Sequence, residues 1–195
     1  MRERKGSVSR STSETKIQVT VDLAGGDVFT DTGVPFFDHM LDQLGRHSGV
    51  GLAVEAVGDL QIDAHHTVED TGLALGTALA EALGDKQGIR RYGDALVPME
   101  EALAQVALDI SGRPLLVYEA SFSATSIGQY DTGLTEEFFQ ALVRAAGLTL
   151  HARLLVGRDP HHSVEAIFKA LARALGDAIT IDPRQRGVPS TKGVL

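Results

Sequence analysis

The chain has 195 residues, 43% hydrophobic and 23% charged, with a net charge of −8. This allows one compact domain, or two small halves sharing a core. An acidic balance without a long basic run argues against nucleic acid and anionic membrane as main partners, while leaving room for a local pocket that takes a small anion. With no cysteine, disulfides and thiolate metal sites are excluded, and any metal must take nitrogen and oxygen ligands. The opening Met1-Arg2-Glu3-Arg4-Lys5-Gly6 lacks the apolar segment of a signal peptide, and no apolar run is long enough to span a bilayer. A cytoplasmic location is therefore expected.

Residues 1–8 read as a flexible tail. From Lys16 to Leu23, apolar Ile17, Val19, Val21 and Leu23 alternate with polar residues, which predicts a half-buried strand. A turn at Gly25-Gly26-Asp27 leads to a short strand near Val28–Thr30. Pro35 opens a helix that runs to about His47 and stops at Gly49. Strands are expected over Leu52–Val57 and Leu60–Asp63, then a helix from His65 to Leu83. The second part repeats the pattern. Strands are expected over Ala102–Ile110 and Leu115–Phe122, a helix over Thr135–Ala146, a strand over Leu148–Val156 and a helix over His161–Ala178. Asp182 to Leu195, with its prolines and glycines, reads as irregular. The fold class is α+β, in two pseudo-equivalent halves at 9–98 and 99–182, followed by a C-terminal segment 183–195.

The halves come from an internal duplication. His-His-x-x-Glu occurs at His65, His66, Glu69 and again at His161, His162, Glu165, and these pairs hold four of the seven histidines. From each pair the sequences align without a gap through Leu79 and Leu175, with Ala74/Ala170, Leu75/Leu171 and Ala78/Ala174 identical. Positions i and i+4 share a helix face, so His65 points with Glu69 and His161 with Glu165. His66 and His162 point elsewhere. Adjacent histidines chelate one ion poorly but serve two different ions well. The simplest assembly has two metals, each fed by one histidine from each repeat plus carboxylates. His39, beside Asp38 on the preceding helix, is the best further ligand. Its counterpart in the second half is Glu137. Imidazole and carboxylate together suit Mn, Fe, Co, Ni or Zn. Asp38 and Asp70 are candidates to orient the neighbouring histidines. His47 lies two turns after His39 and is a candidate for the same pocket.

Phe36-Phe37-Asp38-His39-Met40-Leu41, Asp63-Ala64-His65-His66-Thr67-Val68-Glu69-Asp70, Asp109-Ile110-Ser111-Gly112-Arg113-Pro114, His161-His162-Ser163-Val164-Glu165-Ala166 and Pro189-Ser190-Thr191-Lys192-Gly193 occur in this order. The set resembles the imidazoleglycerol-phosphate dehydratase family over nearly the whole chain. The resemblance implies halves that are each a four-stranded sheet with helices on one face. It implies a site of two Mn(II) ions, with His39, His65, His66, Glu69, His161, His162 and Glu165 on the metal-binding positions. It also implies substrate contacts at Glu14, Arg91, Arg113, Lys169, Ser190, Thr191 and Lys192. Many members carry histidine where this chain has Glu137; a carboxylate can still ligate Mn(II), a hard ion. The implied assembly is a homo-oligomeric 24-mer built from trimers, with active sites at subunit interfaces that the C-terminal segment completes.

The implied reaction removes water from a glycerol phosphate bearing an imidazole, giving imidazole acetol phosphate in histidine biosynthesis. The proton to be lost sits on carbon with no carbonyl to acidify it. A metal-held imidazolate would push out the hydroxyl, giving a diazafulvene-like intermediate. Glu14, Glu69 and Glu165 are the candidates to move the proton. Liganded carboxylates are less basic, which favours Glu14. Arginine matches phosphate oxygens with a planar fork. Lys169 lies one turn beyond Glu165, so an ion pair between them is the structural alternative to a substrate contact. Two other readings compete: a binuclear metal hydrolase, indifferent to Arg91 and Arg113, and a metal-assembled shell without activity.

Overall fold

The computed structural model describes residues 3–195. The first half holds β1 (Lys5–Ser11), β2 (Thr15–Asp22), β3 (Val28–Asp31), α1 (Pro35–Ser48), β4 (Gly51–Gly58) and α2 (His65–Leu83). The second holds β5 (Tyr92–Met99), β6 (Ala102–Asp109), β7 (Leu115–Glu119), a two-strand insertion β8 (Ser126–Ile127) and β9 (Tyr130–Asp131), α3 (Leu134–Ala146), β10 (Thr149–Val156) and α4 (Pro160–Ile179). One sheet runs β1-β2-β4-β3 and the other β5-β6-β10-β7. In each, the last pair is parallel and the rest antiparallel. Two halves with one strand order are the structural imprint of the duplication.

Period-2 patterning decides which sheet face is covered. Ile17, Val19 and Val21 of β2 point into the core, as do Ala104, Val106 and Leu108 of β6. Lys16, Gln18, Gln105 and Ala107 face outward. Helix α2 lies on β1, β2 and β4, and α4 on β5, β6 and β10. The first helix of each half packs on the second helix of the other: α1 against α4, and α3 against α2. Phe37, Phe138, Phe139 and Phe168 fill the space between, all fully buried. Gly49 and Gly147 end α1 and α3 in the left-handed conformation, at φ 74° and 67°, which glycine adopts without a Cβ clash. Among the described residues no helix is long and apolar enough to cross a membrane.

Three expectations are corrected, and one element is new. Residues 5–8 are not a tail: Lys5–Ser11 forms edge strand β1, paired with β2 from Lys5↔Asp22 to Ser11↔Lys16. Met1 and Arg2 lie outside the described residues. Its inward face carries Gly6 rather than a large apolar residue, so the alternation was invisible. Leu60–Ile62 is a turn, not a strand. Residues 92–98 belong to the second sheet as β5, so the division between halves falls before Tyr92. The insertion β8–β9 has no counterpart in the first half and was unforeseen.

Gly6 and Gly93 explain why both first strands hid. A Cβ on Gly6 would collide with the carbonyl of Ala78 on α2, and one on Gly93 with that of Ala174 on α4. The strand approaches the helix backbone so closely that no side chain fits. Gly93→Ala is expected to force β5 off α4 at a cost of roughly 1–3 kcal/mol, read as a lower midpoint in urea unfolding.

Candidate metal centre and active site

Both histidine pairs sit at the start of their helices, pinned there by a preceding aspartate. Asp63 Oδ1 accepts the His65 N–H at 2.8 Å. Asp159 caps α4, its side chain accepting from the N–H groups of His161 and His162. On α4 the next turn brings Glu165 under His161, Nε2 to Oε2 at 3.0 Å. His39 arrives from α1 and meets the same oxygen at 3.2 Å. His39, His161 and Glu165 thus offer three ligand atoms all within 4.8 Å of one another, the one such group among the described residues.

Glu165 is buried, and its other oxygen pairs with Lys169 Nζ at 2.7 Å. Burial pushes its carboxyl up, but Lys169 and then His39 outweigh that and hold it below the ordinary carboxylate range. The i, i+4 alternative for Lys169 is thus realised. Lys169 Nζ also lies 3.3 Å from Met99 Sδ. His47, at the exposed end of α1, holds Gln43 at 3.0 Å. Burial first, then the charges of Lys169 and Arg173, keep its pKa low.

The first motif is more open. His65 Nε2 lies 3.7 Å from Glu69 Oε2, and His66 Nε2 lies 3.8 Å from Glu14 Oε1. Glu137 is exposed in the first turn of α3. Among the described residues it joins no three-ligand group with His65 and Glu69. A cleft of about 860 Å³ opens between the α2 start and the β8–β9 insertion, lined by His65, Asp63, Phe36 and Tyr130. The Phe36 ring packs on His161 at 5.1 Å between centroids.

The histidine orienters differ from those expected. Asp38 accepts from the N–H and hydroxyl of Thr32, and Asp70 holds Thr15 Oγ1 and Arg10. Asp59 and Glu101 do the orienting. His66 Nδ1 meets Asp59 Oδ2 at 3.0 Å, and His162 Nδ1 meets Glu101 Oε2 at 2.9 Å. Each hydrogen bond holds its histidine above the ordinary value. The N–H of Asp159 and then His162 hold the Glu101 carboxyl down to about 2. Glu101 had one usable signal: it precedes the β6 alternation as Glu14 precedes that of β2. His151 is exposed on the outer sheet face and has no structural role in the core.

The expected phosphate cations gather elsewhere. Arg91 grips Asp109 with two nitrogens, at 2.7 and 3.1 Å, and donates to the Pro189 carbonyl at 2.9 Å. This ties the turn of Ser190, Thr191 and Lys192 to the start of β5. Lys86, which sequence reasoning missed, is near enough to Arg91 and Asp109 to feel both charges. The Gly112 backbone beside Arg113 abuts Leu195. The Arg91 N–H bonds the Ala178 carbonyl, at the far end of α4 from Glu165. Thirteen residues of helix separate these two points, about 20 Å. Within one chain, then, the expected phosphate cations and the expected metal ligands are not brought together. Arg91→Ala leaves Asp109 without its cation and frees the tail, at a cost on the order of 2 kcal/mol; faster proteolysis after residue 182 is the expected readout.

A family model for imidazoleglycerol-phosphate dehydratase matches residues 32–175. The chain belongs to the imidazoleglycerol-phosphate dehydratase family. It is 61% identical over 194 residues to the imidazoleglycerol-phosphate dehydratase of Symbiobacterium thermophilum, covering 99% of this chain and 93% of that one. To the enzyme of the same name from Agrobacterium fabrum it is 55% identical, with both chains fully covered. The solved imidazoleglycerol-phosphate dehydratase of Staphylococcus aureus superposes with a TM-score of 0.84 at 42% identity, covering 91% of this chain and 99% of that one. The Pyrococcus furiosus enzyme in complex with (S)-C348 gives 0.84 at 36% identity, covering 96% and 100%. Membership makes the chain a hydro-lyase of histidine biosynthesis, and the α+β architecture of paired four-stranded sheets is the family's.

Proposed function

We propose that the chain dehydrates D-erythro-imidazoleglycerol phosphate to imidazole acetol phosphate in a reaction that depends on two Mn(II) ions per active site. The observation that carries the metal is the convergence of His39, His161 and Glu165 from two helices onto a common point. The donor set fits Mn(II), a cation that accepts imidazole and carboxylate and needs no sulfur. His39, His161 and Glu165 would supply one part of the shell, and His65, His66, Glu69 and His162 the rest, with Glu137 in the place of the family's histidine. When bound, the ions polarise the substrate ring and supply the Lewis acidity for expelling the hydroxyl.

Glu14 is the base in this reading. It is exposed, 3.8 Å from His66, and in no three-ligand group, so its carboxylate stays free to take the carbon-bound proton and return it. Lys169, which pairs with Glu165 at 2.7 Å, would contact a substrate oxygen if Glu165 held a cation. His47 lines a separate hollow with Ser48, Arg173, Gly176 and Asp177, farther along α4 than Glu165, and would meet the substrate only from there. Arg91, Arg113, Ser190, Thr191 and Lys192 would take the phosphate.

The roughly 20 Å between Glu165 and Ala178 along α4 exceeds what one imidazole ring, three carbons and a phosphate can bridge. One chain would supply metal ligands and another the phosphate cations, which supports active sites between subunits; the trimer-built 24-mer is part of the same proposal. A cytoplasmic location is part of the same proposal.

The test is turnover of imidazoleglycerol phosphate by chelator-stripped protein with and without added Mn(II). Metal-dependent product supports the reading. No product from folded, metal-loaded protein sinks it and favours the binuclear hydrolase.

A further inference from the structure

Glu14 and Glu101 hold the same place in the two halves. Each is the second residue of a two-residue turn. Thr12 and Thr15 flank one turn, where the Thr12 N–H donates to the Thr15 carbonyl. Met99 and Ala102 close the ladder at the other. The strands before them carry Gly6 and Gly93 at matching points, each pressed on a motif helix.

Their carboxylates nevertheless do different work. Glu101 is closed in: Oε1 accepts the N–H groups of Arg158 and Asp159 at 3.2 and 2.7 Å, and Oε2 takes His162 Nδ1. Glu14 is 49% exposed and has no hydrogen bond to its histidine. The Nδ1 of His66 is taken by Asp59 instead. Gly58 packs against Thr67 as Gly157 packs against Ser163, so the counterpart of Asp59 is Arg158. The second half therefore has no carboxylate there, and needs none.

Asp59 looks costly for the fold. Its side chain is 12% exposed, Oδ2 holds the histidine, and Oδ1 is buried with no partner among the described residues. A buried carboxylate with a single hydrogen-bond partner does little for stability. Its placement answers to His66.

We infer that Asp59 and Glu101 are positioning residues for His66 and His162, and that Asp59 fills in the first half the role Glu101 fills in the second, which releases Glu14 toward the substrate. A carboxylate that accepts the Nδ1 proton fixes the ring's tautomer and orientation and presents the Nε2 lone pair to a cation. The duplicated glutamate was thereby divided into an orienter in one half and a free base in the other. This inference rests on the metal-dependent reading above.

The experiment compares full-length Asp59→Ala, Asp59→Asn, Glu101→Ala and Glu101→Gln with the unaltered chain. Mn(II) affinity is read by electron paramagnetic resonance of free Mn(II), and ligand geometry by the visible spectrum of the Co(II) form. Both alanine variants are expected to lose about 10- to 100-fold in affinity and to change the Co(II) spectrum. Asparagine and glutamine keep an oxygen that accepts the Nδ1 proton, so they should recover most of the loss; that recovery separates orientation from collapse of the fold. At saturating Mn(II), Glu101→Ala should regain part of its kcat. Asp59→Ala should not, because a His66 ring no longer held at Nδ1 can turn and offer an N–H to Glu14, which lies 3.8 Å from its Nε2. Unchanged affinity and spectra in both alanine variants would overturn the positioning role. Full recovery of Asp59→Ala at saturating metal would overturn the release of Glu14. If the unaltered chain binds Mn(II) but turns over no imidazoleglycerol phosphate, the functional reading fails, while the affinity comparison still decides the positioning.

Discussion

Glu14→Gln is expected to lower kcat roughly 100- to 10,000-fold, the usual loss when a positioned base is removed. Mn(II) content and the folded state should not change. Glu14 makes no buried contact: it is exposed in a two-residue turn, 3.8 Å from His66. Glutamine keeps the size and removes only the ability to take a proton. The check is a pair of measurements on one preparation, metal content by elemental analysis and turnover at saturating substrate. A large fall in kcat at constant metal and nearly constant KM identifies the base. A parallel fall in metal content would move Glu14 into the metal shell and return the proton transfer to Glu69 or Glu165.

Glu165→Ala should do the reverse and damage everything at once. Its buried carboxylate is the hub for His39, His161 and Lys169. Removing it deletes a proposed metal ligand and leaves the ammonium of Lys169, 20% exposed, without its partner. Breaking such a pair typically costs about 3–5 kcal/mol. Metal-free protein should show that loss in urea unfolding, and added Mn(II) should restore little of it, because the ligand is gone. Lys169→Met separates the two roles. It leaves a buried charge on Glu165 that Mn(II) can neutralise, so its stability should become strongly metal-dependent. Stability of Glu165→Ala equal to that of the parent, with and without Mn(II), would remove Glu165 from the hub.

Much of the fold was legible because its signals are local. Alternation marked β2, β4, β6 and β10, and the motif helix α2 has the expected bounds, His65 to Leu83. Strands β1 and β5 were not legible. Their inward faces carry Gly6 and Gly93, small because a helix backbone passes there, and a glycine gives no apolar signal. The site divides the same way. The i, i+4 rule placed Glu165 under His161, and the pairing of Lys169 with Glu165 also follows from spacing along one helix. Asp59 and Glu101 could not be read so directly. Asp59 is seven residues from its histidine around a turn, and Glu101 is 61 residues away in another element. The aspartates that adjoin the motifs, Asp38 and Asp70, turned out to brace Thr32 and Thr15.

By itself the sequence determined the duplication, the α+β class, the absence of thiolate ligands and the family, because these follow from residue identity and short periodicities. Tertiary structure alone decided that α1 packs on α4 and α3 on α2, and so that His39 of the first half completes a cluster in the second. It decided too that Arg91 lies at the opposite end of α4 from Glu165. Helix pairing depends on how side chains from distant segments fill shared space, and no local pattern encodes that.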